Sequence, residues 1–416
     1  MPFPSLGLSD ALSQHLAQLG YQTPTLIQQQ AIPHVLDNKD IIGIAQTGSG
    51  KTAAFGLPLL QRAQQPKSSR GRTNVTPTLI LAPTRELASQ IAESLKSFAF
   101  GLPEPLKIKA VYGGVSINPQ MLALRGGCDL LIATPGRLLD LINQNAISLS
   151  QTTQLVLDEA DKMLALGFSE ELEAIKALLP KKRQTLLFSA TFSKDTEQLA
   201  QQWLCSPVWL EVTSEASVSE QIHQRAIEID PANRNQALQQ LIEHHQWRQV
   251  LIFAASKRSA NNLATKLHRA GYDVDTLHGD MSQGARQASL RDFKLGTLRI
   301  LIATDLAARG LDVDALPCVV NYDLPRSPAD YVHRIGRTGR QQNQGVALTF
   351  IGADDDAHFA LIEKKMGQKV TREQLDGFSR QQAAQPKPKG PQPVKGKRKS
   401  KKDKLREAAA KDGRTK

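Results

Sequence analysis

Short apolar runs that each end in a turn and pass into a helical stretch recur along this chain, and this alternation constrains its fold more than any other feature. Residues 41–44, 78–82, 107–112, 129–133, 154–157 and 184–188 read as strands of one unit, which residues 203–212 close. The runs are short and apolar without polar alternation, as strands buried on both faces are. A small polar stretch at 213–220 reads as a linker, and then the pattern resumes. Strands are expected over 225–229, 249–254, 274–277, 299–303, 318–322 and 346–351, the last of them followed by a helix over 355–366. Strands alternating with helices give a parallel sheet covered on both faces. The expected fold class is therefore α/β, with two parallel-sheet domains joined by a short linker. The boundaries are residues 1–212 for the first domain, 213–220 for the linker, 221–370 for the second domain and 371–416 for a disordered basic tail. At 416 residues the chain is long enough for two such cores.

Charge is distributed unevenly. The net charge is +12, and residues 380–416 hold 14 Lys and Arg against 3 Asp and Glu, so a nearly neutral body carries a strongly basic end. That end is rich in Gln, Pro, Lys and Gly with no apolar period, a composition that cannot bury a core. Its charge points to a polyanion partner, with a merely solubilising tail as the alternative. Cys128, Cys205 and Cys318 are widely spaced with no CxxC pair, which argues against a disulfide framework or a thiolate zinc site. The first residues have neither a basic run nor an apolar core, and no apolar run approaches membrane-spanning length. A cytoplasmic protein with no membrane partner is the expectation.

The chemistry begins in residues 41–52, IIGIAQTGSGKT, where an apolar strand breaks into a Gly-rich turn and then a helix start. Gly48 and Gly50 let backbone N–H groups face an anion, and the helix N-terminus adds its dipole. Thr47, Gly48, Ser49 and Gly50 would cradle phosphates, Lys51 would reach the β- and γ-phosphates, and the Thr52 hydroxyl would ligate Mg²⁺. Ala45 stands where such loops usually have their first Gly. Asp158-Glu159, at the end of another apolar strand, supply the carboxylates a nucleotide hydrolase needs. One holds Mg²⁺, largely through water, and the other positions or deprotonates the attacking water. The Gln28 amide offers a donor and an acceptor together, which suits an adenine edge.

These residues lie in a set of motifs. Asp158-Glu159-Ala160-Asp161 spells D-E-A-D, and with it the chain resembles the DEAD-box ATP-dependent RNA helicases, of the bacterial type with a short basic C-terminal tail. Residues 45–52 resemble motif I, 83–88 (PTRELA) motif Ia, 134–137 (TPGR) motif Ib, 189–191 (SAT) motif III, 304–312 (TDLAARGLD) motif V and 333–340 (HRIGRTGR) motif VI. Residues 20–28 resemble the adenine-reading Q motif, and Phe3 stands where the family places its upstream aromatic. In the fourth-motif region, 251–256 (LIFAAS), Ala254-Ala255 replace a common Val-Asn.

The resemblance implies two RecA-like domains, RNA-stimulated ATP hydrolysis and local unwinding of short duplexes or remodelling of RNA–protein complexes, with ATP and Mg²⁺ as cofactors. It implies that Gln28 bonds to adenine with Phe3 stacked on it, and that Asp305 contacts the nucleotide across the cleft. Arg337 and Arg340 are implied as arginine fingers, His333 as their coupling to the DEAD residues, and Ser189 and Thr191 as the link from ATP state to domain closure. Arg85, Gly114, Thr134, Arg137, Gly279, Arg286 and Thr304 match positions that grip RNA. Backbone N–H groups, hydroxyls and arginines suit phosphate and 2′-OH contacts, so binding is expected to be largely independent of base sequence. The expected partner is single-stranded RNA or a short duplex, with ribonucleoprotein or RNA-decay assemblies beyond it, around a monomeric core.

Overall fold

The computed structural model describes residues 2–45, 48–64, 74–212, 222–308, 316–339, 344–378 and 380. Thr47, Arg340, the linker 213–220, most of the basic loop 64–74 and the tail beyond Arg380 lie outside the described residues. In the first domain the strands are β1 (Ile41–Ala45), β2 (Thr78–Leu81), β3 (Ile108–Val111), β4 (Leu130–Ala133), β5 (Gln154–Leu157), β6 (Gln184–Ser189) and β7 (Val208–Val212). The second domain has β8 (Ile222–Glu228), β9 (Val250–Phe253), β10 (Val274–Leu277), β11 (Ile300–Ala303), β12 (Cys318–Asn321), β13 (Gly345–Ile351) and β14 (Arg372–Glu373). The sheets run β3-β4-β2-β5-β6-β1-β7 and β10-β11-β9-β12-β13-β8-β14. Neighbouring strands are parallel throughout, for example β1 with β6 and β13 with β8. Counted from the start of each domain, the two strand orders are the same.

The uninterrupted apolar runs have the reason expected of them. In β2, Leu79 and Leu81 enter the core on one face and Ile80 the core on the other, and all three are fully buried. In β9, Val250 and Ile252 face one core while Leu251 and Phe253 face the other. A strand between two helical layers has no solvent side to make polar.

One boundary needs correction. The second domain does not end at residue 370, and β13 is not its last strand. β14 pairs with β8 at the sheet edge, the place β7 holds beside β1. Leu375 and Phe378 then pack against the second core, and Arg380 donates to Asp356 at 3.0 Å. Among the described residues no helix is long and apolar enough to cross a membrane. The turns that carry the motifs leave the carboxyl ends of the strands, where parallel sheets place their ligands.

Candidate functional site

The phosphate loop is held from outside. Gly50 caps the helix Lys51–Ala63 with φ +91°, and Gly48 has φ +82°, conformations open to residues without a side chain. Gln28, buried near the start of the helix Leu26–Leu36, accepts from Thr25 N at 3.0 Å and donates to Gly50 O at 3.1 Å. The Thr25 hydroxyl donates to Ser49 O at 2.8 Å. A Cβ on Gly50 would strike the Gln28 amide, a second reason for glycine there. The expected adenine reader thus also grips the loop. An amide has two donor and two acceptor positions, so one of each remains for a base edge. Phe3 is buried in the first domain's core within the 3-10 helix Phe3–Leu6. Its packing there supports this corner of the domain. Lys51, also buried, donates to Ala45 O at 2.9 Å, and Thr52 follows it on the first turn.

β5 delivers Asp158 and Glu159 beside this loop. Burial, reinforced by Glu159 and opposed by the nearby Lys51, pushes the Asp158 carboxyl up to about 6. Its Oδ1 accepts from Glu159 N at 3.0 Å. Glu159 itself has φ +53° and ψ +49° at the head of the helix Ala160–Ala165. A non-glycine residue held in that region stores strain, a feature of functional sites. Lys162, which the motif reading passed over, places Nζ 2.7 Å from Glu159 Oε1. Asp161 accepts from the backbone N and the hydroxyl of Thr191, at 3.1 and 2.7 Å. Ser189 donates to Thr191 O at 2.6 Å. The Ser-Ala-Thr turn is therefore wired to the last residue of D-E-A-D.

Across the cleft, Ser327 caps the helix Pro328–Ile335 that carries His333. Lys162 shares a small pocket with Asp305, His333, Arg334 and Arg337 of the second domain. Burial, with Lys162 adding to it, pulls His333 down to about 4, so its imidazole is neutral near pH 7. Asp305, expected to contact the nucleotide across the cleft, is held by Arg334, whose Nε and Nη2 lie 2.5 and 2.8 Å from its two oxygens. Arg334 also donates to Asn321 Oδ1 and Asp323 O, and its guanidinium lies 4.9 Å from the centroid of the Phe253 ring. A buried guanidinium needs such a full set of acceptors.

A second cavity of about 520 Å³ opens between the domains. Arg85, Gly114, Thr134, Arg137, Gly279 and Arg286 line it, six of the seven residues expected to grip RNA. Thr304 is not in its lining. Its carbonyl accepts from Ala307 and Ala308 N, starting the helix Asp305–Ala308. Thr84 caps the helix Arg85–Ala99 and so sets Arg85 at the cleft. Gly114 has φ +77°, and a Cβ there would collide with the Arg85 guanidinium. Glu86, which sequence reasoning missed, lies 2.8 Å from Arg286 across the domains, both side chains buried. Burial lowers the Arg286 pKa and Glu86 opposes that shift. Arg137 Nη1 and Arg286 Nε are buried with no hydrogen-bond partner among the described residues. Buried arginine N–H groups left over in a cleft suit an anionic backbone.

Comparison with known proteins agrees with this geometry. The family model described as DEAD/DEAH box helicase matches residues 25–199, and the helicase conserved C-terminal domain matches residues 233–342. The DEAD-box ATP-dependent RNA helicase CshA of Bacillus cereus is 40% identical over 370 residues, 89% of this chain and 69% of that protein. CshA of Bacillus subtilis is 38% identical, over 89% of this chain and 73% of that one. Yeast (S. cerevisiae) Dbp5 bound to RNA and ADP BeF3 superposes with a TM-score of 0.78 at 32% identity, covering 89% of this chain and 95% of that one. A variant of Dbp5 bound to Nup159, a Gle1 variant, IP6 and ADP gives 0.60, also at 32% identity, over 89% and 96% of the two chains. The sequence, the two matched sheets and the site between them make this chain a member of the DEAD-box ATP-dependent RNA helicases.

Proposed function

We propose that ATP and single-stranded RNA jointly hold the two domains together, and that this closure both assembles the hydrolytic site and grips the RNA. The observation that carries the reading is the pairing of residues across the cleft. Lys162 beside Glu159 meets His333 and Arg337 in one pocket, and Glu86 meets Arg286 in the other. Overall likeness is greater to Dbp5 with RNA and ADP BeF3 than to Dbp5 with Nup159, Gle1, IP6 and ADP, at equal sequence identity, which supports reading this arrangement as one that accommodates nucleotide and RNA together. Only a difference in affinity between open and closed arrangements can drive such a cycle.

In this reading the loop amides at 48–50 and Lys51 bind the phosphates, and Gln28 reads adenine with its spare donor and acceptor. Glu159 takes the proton of the attacking water, and Arg337 spreads its guanidinium over charge developing on the γ-phosphate. Arg340 and Thr47 are assigned the same tasks on motif grounds. Asp305 orients Arg334 and through it the helix Pro328–Ile335. A buried carboxyl raised to about 6 beside a second carboxylate is a fitting place for a divalent cation, so Asp158, with Thr52, would hold Mg²⁺. When bound, the cation would neutralise charge on the β- and γ-phosphates. The RNA strand, gripped through its backbone by Arg85, Gly114, Thr134, Arg137, Gly279, Arg286 and Thr304, is read without regard to base sequence. A regular duplex does not fit a groove shaped to a bent strand, so short duplexes separate locally. RNA–protein complexes remodelled in the same way, in RNA decay or elsewhere, are the corresponding partners of a monomeric core.

The test is Glu159→Gln. ATP and RNA binding should persist while turnover falls by roughly 10²–10⁴-fold, the usual worth of a positioned base. Undiminished RNA-stimulated hydrolysis would remove Glu159 from the mechanism.

A further inference from the structure

Lys162 immediately follows D-E-A-D, and the structure gives it more to do than fill a helix. Its Nζ lies 2.7 Å from Glu159 Oε1, and the two side chains are 9% and 4% exposed. The other carboxylate oxygen, Oε2, is buried without a hydrogen-bond partner among the described residues. The residue is fixed at its backbone as well: Lys162 N lies 2.9 Å from Glu159 O and 3.0 Å from Asp161 Oδ1. An ion pair this deep adds little net stability, because desolvating both charges offsets their attraction. What it does supply is direction. A carboxylate with one oxygen pinned by an ammonium presents the other in a fixed orientation, and the ammonium that pins it lines the pocket shared with His333 and Arg337.

We propose that Lys162 is a positioning residue for ATP hydrolysis: its ammonium holds Glu159 Oε1 and leaves Oε2 to take the proton of the attacking water. In that step the water oxygen bonds to the γ-phosphorus, the bond from that phosphorus to the β,γ-bridging oxygen breaks, and its electron pair leaves on ADP. The water's proton passes to Oε2. Lys162 touches neither phosphate nor water in this account and acts through Glu159. The proposal rests on the assignment of Glu159 as the base.

Lys162→Met keeps the length of the stem and removes the ammonium. At saturating RNA, kcat should fall on the order of 10- to 100-fold, as misplaced catalytic groups do. The KM for ATP, and the affinity for a labelled single-stranded RNA in the presence of ADP and beryllium fluoride, should stay within about twofold, since neither involves the proton transfer. Lys162→Arg should recover most of the lost kcat, because a guanidinium can also reach Oε1. Full kcat in Lys162→Met overturns the proposal, as does a parallel loss of nucleotide and RNA affinity, or an arginine variant no better than methionine. Should Lys162→Met fail to fold by circular dichroism, Lys162→Gln takes its place. Its amide still donates to Oε1, so a smaller kcat loss with unchanged affinities is expected, and wild-type kcat would contradict the idea. Turnover surviving in Glu159→Gln overturns the base assignment and this proposal with it. A dead Glu159→Gln beside a fully active Lys162→Met removes only the role of Lys162.

Discussion

His333 is half-buried among Lys162, Asp161, Arg337 and Glu159, and the outcome is an imidazole whose pKa falls from an ordinary 6.5 to about 4. Between those values the unfolded chain binds more protons than the folded one, so stability rises with pH through this window. The contribution is complete above 6.5 and is lost as pH falls toward 4. Denaturant unfolding at a series of pH values should show His333→Asn losing less stability over that range than wild type, by up to about 3 kcal/mol. Equal losses would contradict the half-buried, neutral histidine. His333 and Arg337 were legible in the sequence as parts of a motif, but Arg334 between them was not assigned a role. The signal was there in the helical period. Arg334 follows Tyr331 by three residues on the buried face that Tyr331 and Ile335 share, and it also lines the cleft pocket with Asp330, His333 and Arg337. Glu86 carried no such signal, because its partner Arg286 is remote in sequence and only the folded chain brings them together.

At the scale of elements, the strands and helices that position the site were legible because each is buried on both faces or capped by its own sequence. Ser9, Thr84, Ser193 and Ser327 each accept from a backbone N–H at a helix start. β14 was invisible for the opposite reason. Arg372–Glu373 is short and polar, and side chains from elsewhere hold it. Glu373 takes a forked pair from Arg225, with contacts at 2.7 and 2.9 Å, and Arg372 pairs with Glu363 while lying 4.6 Å from the Phe359 ring centroid. A chain ending at Arg380 should therefore melt with wild type, whereas one ending at Val370 should melt lower by several degrees. It uncovers the β8 edge and part of the core, an effect of roughly 1–3 kcal/mol. Equal melting of the two would contradict the corrected boundary. The chain ending at Arg380 should also show a flatter salt dependence of RNA affinity, since it lacks the basic residues that would release counterions from RNA.

At the scale of the whole molecule, one strand order occurs twice and only the first copy carries a phosphate loop. In the proposed reading the second copy would supply what the first lacks, a guanidinium for the nucleotide and half of an RNA groove. The Glu86–Arg286 pair joins the halves at the cavity proposed for RNA. Arg286→Glu sets two buried carboxylates face to face, so the RNA concentration for half-maximal ATPase should rise on the order of tenfold. Adding Glu86→Arg should recover part of that, and a double variant no better than the single would show that the pair does not hold the domains. The central claim is that hydrolysis needs both domains closed on one nucleotide. Its most direct test is steady-state ATP hydrolysis by Arg337→Ala at saturating ATP and RNA. The account predicts a kcat lower by on the order of 10³-fold, the scale of a lost arginine finger, with ATP binding in the absence of RNA nearly unchanged. Full RNA-stimulated turnover in that variant would contradict it.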